Sequence, residues 1–423
     1  MDSRIHSITA REILDSRGNP TVETTVILQS GYRGTASSPA GASVGKYEAV
    51  EIRDKDEKRY SGMGVLTAVS NVNTVIAPKL HGMDALDQAA VDRTIIELDG
   101  TPNKAKLGAN SVLSVSLAIS NAAASNQQLP LYRYLNSLFH TLIPTSLDRM
   151  PTPTFNLING GAHGAGNLDF QEFHIIPATN KSYHDALALG DDVYHKVKQI
   201  LIYRNAVHSV GDEGGFAPNL FTNLDALEVL TEALKNTIYK PGLDVFLGLD
   251  VAASHFRTER GYQIKDRPMA YSVKEFIAYL RDLHAKYRLL ILEDPFAEDE
   301  WESWTQLTRE IGQDVLIVGD DLLATNPQRL TKAIEMKACS GLLAKPNQIG
   351  TLTEFLDVIA DARKHDIKIV VSHRSGETND TTIADLAVAV QSEYVKFGAP
   401  ARGERIAKYN RLLAIESELF PQK

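Results

Sequence analysis

Cysteine is almost absent from this chain. A single one, Cys339, stands among 423 residues, which excludes an internal disulfide and fits a reducing compartment. Basic residues are outnumbered, 44 Lys and Arg against 53 Asp and Glu, for a formal net charge of -9. That balance argues against nucleic acid or an anionic membrane as a general partner, so an anionic substrate would need cations concentrated locally. Long apolar runs are missing too. No stretch approaches a membrane span, and the start, Met1-Asp2-Ser3-Arg4-Ile5-His6, holds no apolar segment of signal-peptide length. No segment is of low complexity. A cytoplasmic enzyme or binding protein is the expectation. What is present is ordinary for a globular protein, 43% hydrophobic and 23% charged, in a length that allows two domains with a large core.

The first third reads as antiparallel strands followed by helices. Residues 5–14 and 21–28 are β-branched runs around Asp15-Ser16-Arg17-Gly18-Asn19-Pro20, dense in turn formers, and 32–37 is a third strand. The small residues Pro39-Ala40-Gly41-Ala42-Ser43-Val44-Gly45 read as a mobile loop. Helical patterns cover 65–80, 86–98 and 110–125, the last closely packed through Ala122-Ala123-Ala124. Residues 144–153, with three prolines, mark a boundary. This gives an α+β capping domain over 1–143 and a second domain over 144–423.

From Thr154 the chain alternates strand and helix, slightly irregularly at first. Strand runs at 154–158, 170–176, 245–249, 289–292, 315–319, 341–344, 367–371 and 394–395 fit one β/α (TIM-like) barrel. Helices are expected over 183–203, 224–234, 326–338, 351–366 and 404–419. Several strands end on a loaded residue: Asp250, Glu293, Asp320, Lys345, Arg374 and Lys396. Carboxyl ends of strands are where a barrel builds its active site.

Asp250, Glu293 and Asp320 would converge on one mouth. Singly, a strand-end carboxylate is more often a helix cap or an ion-pair member. Three in register would repel unless a hard divalent cation sits among them, and oxygen-only ligation suits Mg2+ or Mn2+ rather than zinc. Lys345, Arg374 and Lys396 form a cationic wall of the kind a phosphorylated carboxylate requires, and a lysine near bound cations is pushed towards its neutral form. Glu213, in the glycine-flanked run Gly211-Asp212-Glu213-Gly214-Gly215, and Glu172 could share a proton and leave one of them a general acid; a solvated turn is the bland alternative for that loop. His163, in a glycine-rich loop, is the weakest candidate.

Together Asp15-Ser16-Arg17-Gly18-Asn19-Pro20-Thr21-Val22-Glu23, Gly211-Asp212-Glu213-Gly214-Gly215, Ser372-His373-Arg374-Ser375-Gly376-Glu377-Thr378 and Gly398-Ala399-Pro400-Ala401-Arg402 resemble enolase (phosphopyruvate hydratase), in order and spacing over nearly the whole chain. The resemblance implies reversible dehydration of 2-phosphoglycerate to phosphoenolpyruvate with Mg2+, two ions per active site. It implies that Lys345 removes the C2 proton and that Glu213, backed by Glu172, protonates the departing 3-hydroxyl. Asp250, Glu293 and Asp320 would hold the first metal and Ser43 would join the second. Arg374 and Ser375 would take the phosphate, Gln171, His373 and Lys396 would bind substrate, and His163 would close over it. Members of the family are cytoplasmic, some also at the cell surface or secreted, and pair as dimers through the N-terminal hairpin and the final helix. This chain departs from the family at Ala40 and Val44, where Ser and Thr are usual, at His255, where Glu is usual, and at Phe397, where a small residue is common. In the dimer contact Arg11 and Glu23 keep the hairpin charges, but Ala414 and Ser417 stand where their partners would be; Arg11 and Glu23 would then pair with each other or with Glu416 or Glu418. Two other readings stay open: a paralogue acting on a related phosphorylated or phosphonylated acid, and a surface binding role through the terminal Lys423.

Overall fold

The computed structural model describes residues 1–41, 45–164 and 168–421. Ser43, Val44 and Lys423 lie outside them, and so do the expectations placed on those residues.

β1 (Ile5–Leu14), β2 (Pro20–Leu28) and β3 (Arg33–Ser37) form an antiparallel sheet in that order. The first turn closes on Asp15, whose carboxylate accepts the N–H of Arg17 at 2.8 Å and of Asn19 at 2.9 Å. Helix Ala109–Asn126 crosses β2 and β3. The approach is close because Gly34 carries no side chain: a Cβ there would fall 2.1 Å from the Ala122 nitrogen. The helix expected over 65–80 is interrupted, running as Leu66–Ser70, a π turn Asn71–Ile76, and Ala77–Leu80. Asn73 in the π turn bonds both backbone groups of Ala10, at 2.7 and 3.1 Å. Pro78, which follows, has no N–H to give to the preceding turn.

The second domain is built on β4 (Thr152–Pro153), β5 (Phe155–Asn159), β6 (Glu172–Pro177), β7 (Val245–Asp250), a small hairpin of β8 (Arg257–Thr258) and β9 (Gly261–Tyr262), then β10 (Leu289–Glu293), β11 (Leu316–Gly319), β12 (Gly341–Ala344), β13 (Lys368–Ser372) and β14 (Tyr394–Lys396). Its sheet runs β4-β14-β13-β12-β11-β10-β7-β6-β5. β4 and β5 are one strand split at Thr154, whose N–H donates to Val395 O at 2.8 Å, so the sheet curls into a barrel. From β7 through β14 to β4 every pairing is parallel, but β6 is antiparallel to both neighbours. Among the described residues no crossover helix separates β5 from β6, and β6 returns antiparallel. Two helices, Tyr183–Tyr203 and Asn223–Lys235, then follow before β7.

Ile176, Ile291, Val318, Leu343 and Val370 plug the barrel interior. Side chains alternate along a strand, so two residues on from these lie Glu293, Asp320, Lys345 and Ser372. β6 runs the other way: Ile176 leads back through His174 to Glu172, which therefore begins its strand at the mouth where the other strands end.

Candidate active site

Glu293 faces Asp250 in the β10–β7 register, and Asp320 follows β11 by one residue. Lys396, at the end of β14, places Nζ 2.8 Å from Asp250 Oδ2 and 2.8 and 2.9 Å from the two oxygens of Glu293. Lys345, following β12, donates to Asp320 Oδ2 at 2.5 Å. Asp250, Glu293, Asp320 and Lys396 are all buried. Burial pushes the Asp320 carboxyl up, but the Lys345 and Lys396 ammoniums outweigh it and hold it below the usual range. At Glu293 burial and the neighbouring Asp250 win over Lys396, and its carboxyl sits well above that range. Burial would lower Lys345, yet Asp320 carries it upward. The Asp320 carboxylate thus favours the charged form of Lys345.

The carboxylate set offers hard oxygen donors without sulfur, and that chemistry fits Mg2+. Among the described residues two groups have ligand atoms all within 4.8 Å of one another, His163–Glu172–Glu213 and Asp294–Asp320–Asp321. Asp250, Glu293 and Asp320 are not gathered so tightly, because the Lys396 ammonium sits on the first two and Lys345 draws the third to itself. Asp294 is already engaged with the backbone, accepting the N–H groups of Asp320 and Asp321 at 2.9 Å each.

The cationic wall is tied to the capping domain. Arg374 donates to Glu48 at 2.7 and 3.3 Å and to Asn347 at 3.1 Å, all three buried. Gln348 bridges Asp320, at 3.1 Å, and Glu48, at 3.4 Å. Ala40 and Gly376 exchange backbone hydrogen bonds of 2.8 Å each. Beside them the buried Ser375 Oγ has no hydrogen-bond partner among the described residues, a donor left for a group the protein does not itself supply.

On the other side Gln171 Nε2 donates to Asp250 at 3.1 Å. His163 Nδ1 lies 3.2 Å from Glu172 Oε1 and 3.5 Å from Glu213 Oε1. The ring therefore stands between the two carboxylates expected to share a proton. Burial would lower it, but Glu213 and Glu172 raise it to about 9. Glu213, which burial and Glu172 would raise, is brought down to about 2 by His163 and His373. Glu172 is likewise held well down by Lys396, His163 and His174 against its burial. Their mutual contacts thus favour the charged form of the ring and of both carboxylates. His373 Nε2 lies 3.3 Å from Glu213 Oε2, and Arg405 fixes the same ring through Nδ1 at 2.7 Å. Arg405, fully buried, also holds the carbonyls of Arg374 at 2.7 Å and Ser375 at 2.6 Å. Lys345, Lys396, Arg374 and Glu213 all line one cavity of about 40 Å³, so the ammoniums, the guanidinium and the carboxylate meet around a single space.

The sequence reading missed Glu48, Gln348, Asn156, His174 and Arg405. None ends a parallel strand, and His174 alone carried a signal, two residues from Glu172 in a period-2 strand. His255 is exposed on the short helix Ala253–Phe256. Phe397 is buried against Tyr409, ring centroids 6.1 Å apart.

Residues 5–135 match the family model described as "Enolase, N-terminal domain", and residues 148–422 match "Enolase, C-terminal TIM barrel domain". A curated protein of Beutenbergia cavernae named Enolase is 50% identical over 415 residues, covering 98% of this chain and 95% of that one.

Proposed function

This chain belongs to the enolase family, and from that membership we propose that its barrel mouth dehydrates 2-phosphoglycerate reversibly to phosphoenolpyruvate, the glycolytic step. The observation that carries the reading is one small cavity lined both by ammoniums and by the His163–Glu172–Glu213 group. Elimination of water needs both: a base for the C2 proton and an acid for the 3-hydroxyl. Lys345 Nζ accepts the C2 proton. Asp320 now holds that nitrogen as an ammonium, so its basicity depends on how far Asp320 is engaged elsewhere. Lys396 gathers the charge that builds on the substrate carboxylate, in a buried setting where such charge is worth most. Arg374 and Ser375 take the phosphate, with Gln171 and His373 lining the site. His163, Glu172 and Glu213 hold one proton among them, and Glu213 delivers it to the departing oxygen.

Asp250, Glu293 and Asp320 would hold Mg2+, with Ser43 on a second ion, and the metal would supply positive charge to the substrate's carboxylate. The protein works in the cytoplasm as a homo-oligomer, a dimer through the N-terminal hairpin and the helix Gly403–Leu419. Formation of the enol absorbance of phosphoenolpyruvate from 2-phosphoglycerate, with and without Mg2+, tests the assignment. No turnover in the presence of Mg2+ overturns it.

A further inference from the structure

Arg405 stands in the first turn of the helix Gly403–Leu419, at 0% exposure. A guanidinium so deeply buried is costly unless it is hydrogen-bonded. All four of its Nη hydrogens find acceptors. Nη1 serves His373 Nδ1 and the Arg374 carbonyl at 2.7 Å each, and Nη2 the carbonyls of Ser375 at 2.6 Å and Asp212 at 3.1 Å. Nε is left beside Glu404, whose Oε1 lies 3.4 Å away. The acceptors belong to two separate segments. Three follow β13 and include the phosphate-binding pair Arg374 and Ser375, and the fourth lies in the loop that carries Glu213.

The helix is anchored, so the fork is held in place. Three and four residues on, Lys408 Nζ meets Glu377 Oε2 at 3.0 Å and Tyr409 Oη donates to Gly398 O at 2.6 Å. Gly398, at φ 85°, leaves space where a Cβ would lie 3.3 Å from Arg405 Cδ, 3.1 Å from His373 Cε1 and 2.6 Å from Glu213 O. Each bridged segment also has ties of its own. The Arg374 N–H donates to Glu377 Oε1 at 3.1 Å, and Arg17 pairs with Asp212 at 3.0 Å. Loss of the fork would therefore uncouple the segments without dismantling either. The fork orders the ring between them as well. A guanidinium only donates, so His373 Nδ1 accepts, and the hydrogen of the neutral ring lies on Nε2, 3.3 Å from Glu213 Oε2. Burial, against the pull of Glu213, favours that neutral form.

We propose that Arg405 is a positioning residue that sets the phosphate-binding segment against the acid loop, so that a substrate held by Arg374 and Ser375 presents its leaving oxygen to Glu213; this rests on the dehydration reading above. In 2-phosphoglycerate the phosphate is on C2 and the departing hydroxyl on C3. One short molecule must therefore reach both segments at once. A slip of one segment past the other leaves the phosphate bound and misplaces the hydroxyl, so the loss falls on turnover rather than on binding. Lysine is no substitute for the fork. Its three hydrogens radiate from one nitrogen, whereas the planar guanidinium spreads its donors over acceptors from two segments.

The test compares Arg405→Met, which removes the fork, with Arg405→Lys, which keeps the charge alone. kcat and KM for 2-phosphoglycerate, and competitive inhibition by inorganic phosphate, are measured at saturating Mg2+, with circular dichroism as a check on folding. In both variants kcat is expected to fall about 100-fold, the scale for a small misplacement of reacting groups, while KM and the phosphate inhibition constant stay within about twofold of wild type. A folded Arg405→Met variant with wild-type kcat overturns the inference. Recovery of kcat by Arg405→Lys overturns it too, since charge without the fork would then suffice. So does a loss of phosphate affinity as large as the loss of kcat, which would confine Arg405 to building the phosphate subsite. If one variant fails to fold, the other decides by the same split; failure of both overturns the inference in favour of a purely structural role. In the wild type, ring-nitrogen shifts should place the His373 hydrogen on Nε2, and a hydrogen on Nδ1 overturns the arrangement. Wild-type protein inactive on 2-phosphoglycerate removes the dehydration reading itself, and is told apart by appearing before any substitution is made.

Discussion

Asp92, at the seam between the two domains, and Asp320, at the barrel mouth, are both buried carboxylates handled in opposite ways. Asp92 accepts four hydrogen bonds from neutral donors: Ser116 Oγ at 2.6 Å, Gln88 at 3.1 Å, and the Thr353 N–H and hydroxyl at 2.9 and 2.6 Å. Burial still pushes its carboxyl above the ordinary range. Asp320 is held by the Lys345 ammonium and driven below that range. A carboxylate that only joins two domains can be satisfied by dipoles fixed in place. One that must exchange partners is satisfied by a side-chain charge that can move off. The contrast separates structure from function more sharply than burial does.

The largest effects should come at the mouth. Chelation should abolish turnover and Mg2+ restore it, with Ca2+ a poorer substitute because the smaller ion imposes the stricter geometry on oxygen ligands; full activity in excess chelator would break the metal reading. Lys396→Ala leaves Asp250, Glu293 and Glu172 without their common ammonium. A drop in kcat on the order of 10²–10³-fold is expected, the scale for losing one buried group that stabilises developing charge. Steady-state kinetics with 2-phosphoglycerate measure it, and a kcat near wild type would show that Lys396 serves packing alone.

At the seam the same kind of deletion should act on stability and spare chemistry. Asp92→Ala strips the Thr353 N–H and the Ser116 hydroxyl of their acceptor, at a cost of about 1–3 kcal/mol, with kcat of the folded protein unchanged. The pH dependence follows from the raised carboxyl. The folded state binds this proton more tightly than the unfolded, so its contribution is full below the unfolded Asp value and is lost as pH rises through the folded one. Asp92→Asn has no such slope. Its deficit relative to wild type in urea unfolding should shrink as pH is raised from the acid side, and a deficit that grows would reverse the assignment.

What could be read from the sequence followed from period and punctuation. The first sheet, the helix Tyr183–Tyr203 and the strands ending on Asp250, Glu293 and Lys396 are amphipathic or bounded by turn formers, and these lie close to where they were expected. Helix Thr382–Ala389 was missed because seven of its residues are buried, so it has no polar face to give a 3.6-residue period. Its neighbour Leu131–His140, against which it packs, was missed as well. At the site, strand ends pointed to the carboxylates and ammoniums, since a barrel delivers those ends to one mouth. Glu48, Gln348 and Arg405 arrive from a cap loop, a 3₁₀ turn and a closing helix. Only tertiary contact tells them from ordinary surface charge.

The smallest effect should be at a third kind of carboxylate, Glu23, paired in solvent. Arg11 lies 2.7 Å from Glu23 across the β1–β2 register, with the arginine side chain 74% exposed. The other partners considered for this pair are engaged elsewhere: Glu416 caps a helix through the Tyr183 and His184 N–H groups at 2.6 and 2.9 Å, and Glu418 lies 3.9 Å from Arg411. Ala414 and Ser417 are exposed on the helix Gly403–Leu419, and Ser417 Oγ bonds back to Leu413 O at 3.1 Å. Neither Ala414 nor Ser417 offers a charge to Arg11 or Glu23. The pair closes on itself, and such exposed pairs are worth at most about 1 kcal/mol. Arg11→Ala and Glu23→Ala should therefore change monomer stability by no more than that. If dimers form through this hairpin, the substitutions and added salt should weaken them only slightly, because the pair already closes within one chain and exposed pairs contribute little. Sedimentation velocity across a dilution series, at low and high salt, reads this directly. Dissociation of the dimer by Arg11→Ala would mean that the guanidinium reaches a carboxylate of the partner, and would place this pair with Asp320 among charges that exchange.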